Sequence, residues 1–126
     1  MGRVLVVEDE RQLRRCLAGY LGRRGWQVTE AGSLAEARAE LRDGVFDAAV
    51  LDVGLPDGDG LDLLTRTGPR RSLIVSARPD AQHYERRGVL HHLPKPLDLV
   101  TVAERVSSLC TSPLRTERSE NAGEMQ

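Results

Sequence analysis

Residues 3–10 read RVLVVEDE. Four apolar residues, three of them β-branched, run without a polar break and stop at three acids. A strand with one wet face would alternate in polarity. A continuous run predicts instead a strand over 3–8 that is buried on both faces. Only helices on each side of a sheet bury it that way, so the residues after the run decide the fold. Residues 10–24 carry Leu13, Leu17, Tyr20 and Leu21 at helical spacing, with Gly25 placed to cap the end.

The same alternation continues along the chain. Residues 26–31 (WQVTEA) read as a more exposed strand. Ser33 and Glu36 form a capping box that opens a helix ending before Gly44. Residues 47–52 (DAAVLD) are a third strand and 56–60 (PDGDG) turn material. A short helix at most fits 61–67, and 72–76 (SLIVS) is a fourth strand. A short helix over 80–87 and a fifth strand over 89–93 come next. Residues 98–110 place Leu99, Val102, Val106 and Leu109 on one helical face, with Asp98 as cap. Strictly alternating β and α elements predict a flavodoxin-like, doubly wound, five-stranded parallel sheet in order 2-1-3-4-5.

At 126 residues the chain makes one domain, expected over 1–110, with a flexible polar tail or linker start over 111–126. Aromatics are 3%, so Leu, Val and Ala must build the core. A net charge of −1 argues against direct nucleic-acid binding. No apolar run approaches the ~18 residues of a membrane span, and the N-terminal run is too short for a signal peptide. A cytoplasmic location is expected, with Cys16 and Cys110 as two buried thiols on separate helices.

In such a sheet, ligands bind beyond the carboxyl ends of the strands. There the sequence sets Glu8, Asp9 and Glu10 after strand 1, Asp52 after strand 3, Ser76 after strand 4 and Lys95 after strand 5. Carboxylates gathered on one edge repel one another, and a hard cation relieves them. Oxygen-only ligands in a small open site suit Mg²⁺. A carboxylate can also act as a nucleophile and form an acyl phosphate. A lysine is a compact charge on a flexible stem, suited to pairing with one carboxylate or one phosphoryl oxygen. Lys95 is the only lysine against seventeen arginines, and Pro94 and Pro96 flank it. A cis Lys95–Pro96 bond is compatible with that setting.

The segments VLVVEDE, VLDVGLPDGDG, VSA and LPKPL, in this order over residues 2–110, resemble the receiver domain of two-component response regulators, as in chemotaxis regulators. The resemblance implies a phosphoacceptor at Asp52. It implies Mg²⁺ held by Glu8, Asp9, Asp52 and the backbone carbonyl of Gly54. Ser76 becomes the switch hydroxyl, Lys95 the partner of the phosphoryl group, and Pro96 the cis proline. The donor is a phosphohistidine on a sensor histidine kinase or phosphotransfer protein. The output goes to a downstream protein or an output domain, and a homodimer is compatible with it. Such a domain catalyses only its own phosphoryl transfer and dephosphorylation, and is not a conventional enzyme.

Three departures bear on that expectation. His92 stands where the family has an inward-swinging Tyr or Phe. Asp52 to Ser76 spans 24 positions and Ser76 to Lys95 spans 19, so the third and fourth helices are expected to be clipped. Gly54 and Arg78 flank the site unusually, leaving the acyl-phosphate lifetime open. The alternative reading is a phosphorylation-independent scaffold or interaction module. Adjacent His91 and His92 cannot ligate one ion from one strand, because neighbours point to opposite faces. The arginine pairs at 14–15, 23–24, 70–71 and 86–87 read as solvated faces.

Overall fold

The computed structural model describes residues 2–110. Its main sheet contains β1 (Arg3–Val7), β2 (Gln27–Ala31), β3 (Ala48–Asp52), β4 (Ser72–Ser76) and β5 (His91–Pro94). All neighbouring strands are parallel, in the order β2-β1-β3-β4-β5. The connecting helices are α1 (Arg11–Arg23), α2 (Leu34–Asp43), α3 (Leu64–Thr67) and α4 (Ala81–Arg86), with α5 (Leu99–Cys110) closing the domain. The expected flavodoxin-like topology is therefore the one observed. α3 has four helical residues, after a 3₁₀ turn over Gly60–Leu63, and α4 has six.

The unbroken run in β1 is explained by two cores. Val4 and Val6 face Leu17 and Leu21 of α1 and Val102, Val106 and Leu109 of α5. Leu5 and Val7 face the other layer, with Leu34 and Leu41 of α2, Leu63 at the start of α3 and Tyr84 of α4. Val4 to Val7 are all fully buried, so alternation has no meaning for this strand. Aliphatic residues dominate both cores, and Trp26, Phe46 and Tyr84 supplement them.

Several boundaries differ from the expectation. Trp26 is buried outside β2, and its N–H donates to Leu21 O at the end of α1. Val89 was expected to begin the fifth strand but precedes it. Gly88 takes φ +86, and Val89 N–H bonds back to Tyr84 O, so the chain is still closing α4 there. The segment 56–60 includes one arm of a small hairpin, in which Gly54–Leu55 pairs with Gly58–Asp59. Cys16 is exposed, contrary to the buried thiol expected, because it lies off the Leu17–Leu21 stripe. The tail expected over 111–126 and the Cys110 side chain lie outside the described residues. No helix among the described residues is long and apolar enough to cross a membrane.

Candidate functional site at the carboxyl edge of the sheet

Three parallel strands deliver their last residues to one edge. The end of β1 brings Glu8, the end of β3 brings Asp52, and β5 hands on to Lys95. The ladders are extended just past the strands: Glu8 N–H donates to Ala31 O at 3.0 Å, and Lys95 N–H to Ser76 O at 2.9 Å. These bonds hold the backbones of Glu8 and Lys95 on the sheet. The Lys95–Pro96 peptide is cis, as the sequence pattern allows.

Glu8 is 1% exposed and Asp52 is 4% exposed, which is unusual for two carboxylates. Lys95 Nζ lies 2.8 Å from Glu8 Oε1 and 3.4 Å from Asp52 Oδ2, so one ammonium serves both acids. The Glu8 contact is an ion pair rather than a directed hydrogen bond, and Glu8 Oε1 has no other partner. Its Oε2 accepts from Glu10 N–H at 3.0 Å. Asp52 Oδ1 accepts from Gly54 N–H at 3.2 Å. Asp9 is exposed at the mouth, and ligand oxygens of Glu8, Asp9 and Asp52 lie within 4.8 Å of one another. This is the one such cluster among the described residues.

The electrostatics follow from that placement. Burial, joined by the negative charge of Glu8, pushes the Asp52 carboxyl from 3.8 up to about 6, against the pull of Lys95 and the Gly54 amide. Burial alone would lower the Lys95 pKa. The ion pair with Glu8 and the charge of Asp52 outweigh it, and the net shift is upward. The ammonium therefore stays charged at neutral pH, as a counter-ion must. Removing it strands a buried carboxylate. Lys95→Met is expected to lower stability by about 3 kcal/mol in EDTA, with Mg²⁺ recovering much of the loss, as urea titrations would register.

Asp9, Asp52, Gly54, Ser76, Arg78 and Lys95 line a cavity of about 360 Å³. Ser76 is buried, and its Oγ accepts from Arg78 N–H at 3.0 Å. Among the described residues no acceptor engages its O–H, which leaves that proton to be offered to a ligand. His92 lies under α4, its ring edge-on to Tyr84 at 5.4 Å, with Nδ1 buried and without a partner. An all-oxygen donor set, one buried carboxylate oxygen lacking a directed hydrogen bond and an open, exposed mouth together fit a hard divalent cation.

Some long-range contacts around the site were not legible in the sequence. Arg14 belongs to a pair expected to be solvated, yet its side chain is 18% exposed. It donates to Glu8 O at 2.9 Å and pairs with Glu30 at 3.2 Å, clamping the β1 end. Gly60 packs directly on the backbone of Asp52. Asp57 bonds the first two amides of α2. Each depends on a contact more than five residues away in sequence, which local pattern does not reveal.

A five-stranded doubly wound sheet whose carboxyl edge joins two buried acids, one exposed acid, a hydroxyl and a lysine is the architecture of a receiver domain. The chain belongs to that family: the family model described as response regulator receiver domain matches residues 4–107. It is 34% identical over 120 residues to the DNA-binding transcriptional regulator NtrC of Azospirillum brasilense, covering 87% of this chain and 25% of that one. It is 34% identical over 114 residues to the transcriptional regulatory protein PhoP of Escherichia coli K12, covering 85% and 51%. The chain thus spans at most about half the length of these two relatives. Among solved structures, the receiver domain of the hybrid histidine kinase CckA superposes with a TM-score of 0.72 at 35% identity, covering 86% and 99%.

Proposed function

We propose that Asp52 is the phosphoacceptor of this receiver domain, with a phosphohistidine on a sensor histidine kinase or phosphotransfer protein as donor. The observation that carries the reading is the pairing of one ammonium with two buried carboxylates beside an exposed third. An Asp52 carboxylate oxygen attacks phosphorus, an O–P bond forms, and the N–P bond breaks to return the electron pair to the donor imidazole. Lys95 then exchanges part of its pairing with Asp52 for a phosphoryl oxygen. The Ser76 hydroxyl donates to another phosphoryl oxygen. Glu8, Asp9, Asp52 and the Gly54 carbonyl are the candidate Mg²⁺ ligands. When bound, Mg²⁺ neutralises charge on the transferring group.

A groove of about 630 Å³ between α1 and the Lys95–Leu97 segment adjoins the site. Leu13, Cys16, Pro96 and Leu97 line it, and Lys95 is shared with the acidic cavity. That continuity supports it as the seat of the donor protein. His92 packs against Tyr84 on the inner face of α4, and a change in their packing would alter the outer face of α4 and β5. That face would signal to a downstream protein or an output domain.

The test is phosphorylation by acetyl phosphate, followed by intact mass. A single phosphoryl adduct is expected on the wild type with Mg²⁺, and none in EDTA or on Asp52→Ala. Failure to form an adduct in saturating Mg²⁺ would favour the alternative of a phosphorylation-independent scaffold.

A further inference from the structure

The start of α2 is capped from two directions. Ser33 Oγ accepts from Glu36 N–H at 3.1 Å, as the local sequence predicts, and Glu36 Oε1 accepts at 2.6 Å from Gly32 N–H, one residue before the cap. The amides between them are taken by a residue far along the chain. Asp57 Oδ1 accepts from Leu34 N–H at 2.8 Å, and Asp57 Oδ2 from Ala35 N–H at 3.0 Å. A carboxylate held on two adjacent amides at the positive end of a helix is a strong and directional contact.

Asp57 sits at the turn of the loop that leaves Asp52. Gly54 and Leu55 pair with Asp59 and Gly58 across this turn. Gly58 lies so close to Leu34 that an added Cβ would come within 2.6 Å of that side chain. At its far end the loop returns to the residue that follows β3, where Gly60 N–H donates to Val53 O at 2.9 Å. The loop is therefore pinned at its base, by Gly60 on Val53 just past β3, and at its turn, by Asp57 on α2. Gly54, whose N–H holds Asp52 Oδ1, lies between these pins.

We infer that Asp57 is a positioning residue for the metal and phosphoryl site, fixing the Gly54 backbone through its clamp on the N-terminus of α2. The inference rests on the reading of Gly54 and the acids as the Mg²⁺ site. Its physical content is that the clamp removes loop freedom before the cation arrives, so the ion does not have to order the loop on binding. α2 thereby becomes part of the site's rigid frame, although none of its residues lines the acidic cavity.

The test measures Mg²⁺ binding by calorimetry and amide exchange by NMR on the whole chain. Asp57→Ala should raise the Mg²⁺ Kd about tenfold, the scale seen when supports of metal ligands are removed. Asp57→Asn, which keeps one acceptor, should fall between. Ser33→Ala removes another cap from the same helix end without touching the loop, and should leave the Kd near the wild-type value. Equal effects of Ser33→Ala and Asp57→Ala would overturn the inference, since helix stability alone would then account for both. An Asp57→Ala Kd equal to wild type would overturn it too. If the wild type binds no Mg²⁺, the metal reading itself fails. The amide exchange at Gly54 still decides the clamp: faster exchange in Asp57→Ala upholds it, and unchanged exchange overturns it.

Discussion

Replacing Asp52 with asparagine is expected to stabilise the metal-free protein by about 3 kcal/mol at neutral pH, while abolishing the phosphoryl adduct. The Asp52 carboxyl titrates near 6 in the folded chain, against 3.8 without the fold. A raised carboxyl means that the fold prefers the protonated acid. The contribution is intact below pH 3.8 and is lost as pH rises through about 6. Asparagine carries no such titration. The advantage of the variant should be small at pH 3.5, grow between about 4 and 6, and stay level above. Asp57 and Asp98 are shifted downward and titrate in the opposite sense, but they are common to both proteins and cancel in the difference. Urea unfolding in EDTA across this range measures it. Saturating Mg²⁺ should shrink or reverse the gap, because only the wild type keeps all three carboxylates. A gap independent of pH would show that Asp52 is not held in the buried, Glu8-facing position described.

The second large effect is at Gly60. A methyl group on its Cα would overlap the carbonyl oxygen of Asp52 and lie 2.9 Å from its carbonyl carbon. These are backbone atoms at the end of a fully buried strand and cannot rotate aside. Gly60→Ala is expected to cost roughly 3 kcal/mol or more, at the upper end of overpacking effects. It should also displace Asp52 and weaken phosphorylation by acetyl phosphate in whatever fraction remains folded. Gly22→Ala is the matched control. Gly22 lies in α1 with nothing within 4 Å of an added Cβ, and the change should stabilise by about 0.5–1 kcal/mol. Urea midpoints that move equally for the two variants would contradict the packing described around Asp52.

Much of this molecule was legible because its signals are local. Residues 4–7 (VLVV) and 73–75 (LIV) are unbroken apolar runs, and the structure buries both between helical layers. Ser33 and Asp98 cap the helices they precede in sequence. Glu8, Asp52, Ser76 and Lys95 stand at or just beyond strand ends, and parallel strands necessarily bring such positions to one edge. Errors arose where a local pattern had two outcomes. Val89 is apolar and fits a strand, but a left-handed Gly88 keeps it in the closure of α4. Cys16 fits a buried helix position, but the stripe of α1 runs through Leu17 and Leu21 instead.

By itself, then, the sequence determined the order of elements, the parallel sheet and the set of residues at its carboxyl edge. Periodicity and capping act over a few residues, and the topology of a doubly wound sheet follows from them. Only the tertiary structure decided which acid shares the lysine, which arginine holds the Glu8 carbonyl and which carboxylate clamps α2. Lys95 lies 43 positions from Asp52, and Asp57 lies 23 from Leu34. Contacts at such separations are set by the packing of strands and helices in three dimensions. The raised Asp52 carboxyl belongs to the same class, since burial and the neighbouring Glu8 exist only in the folded chain.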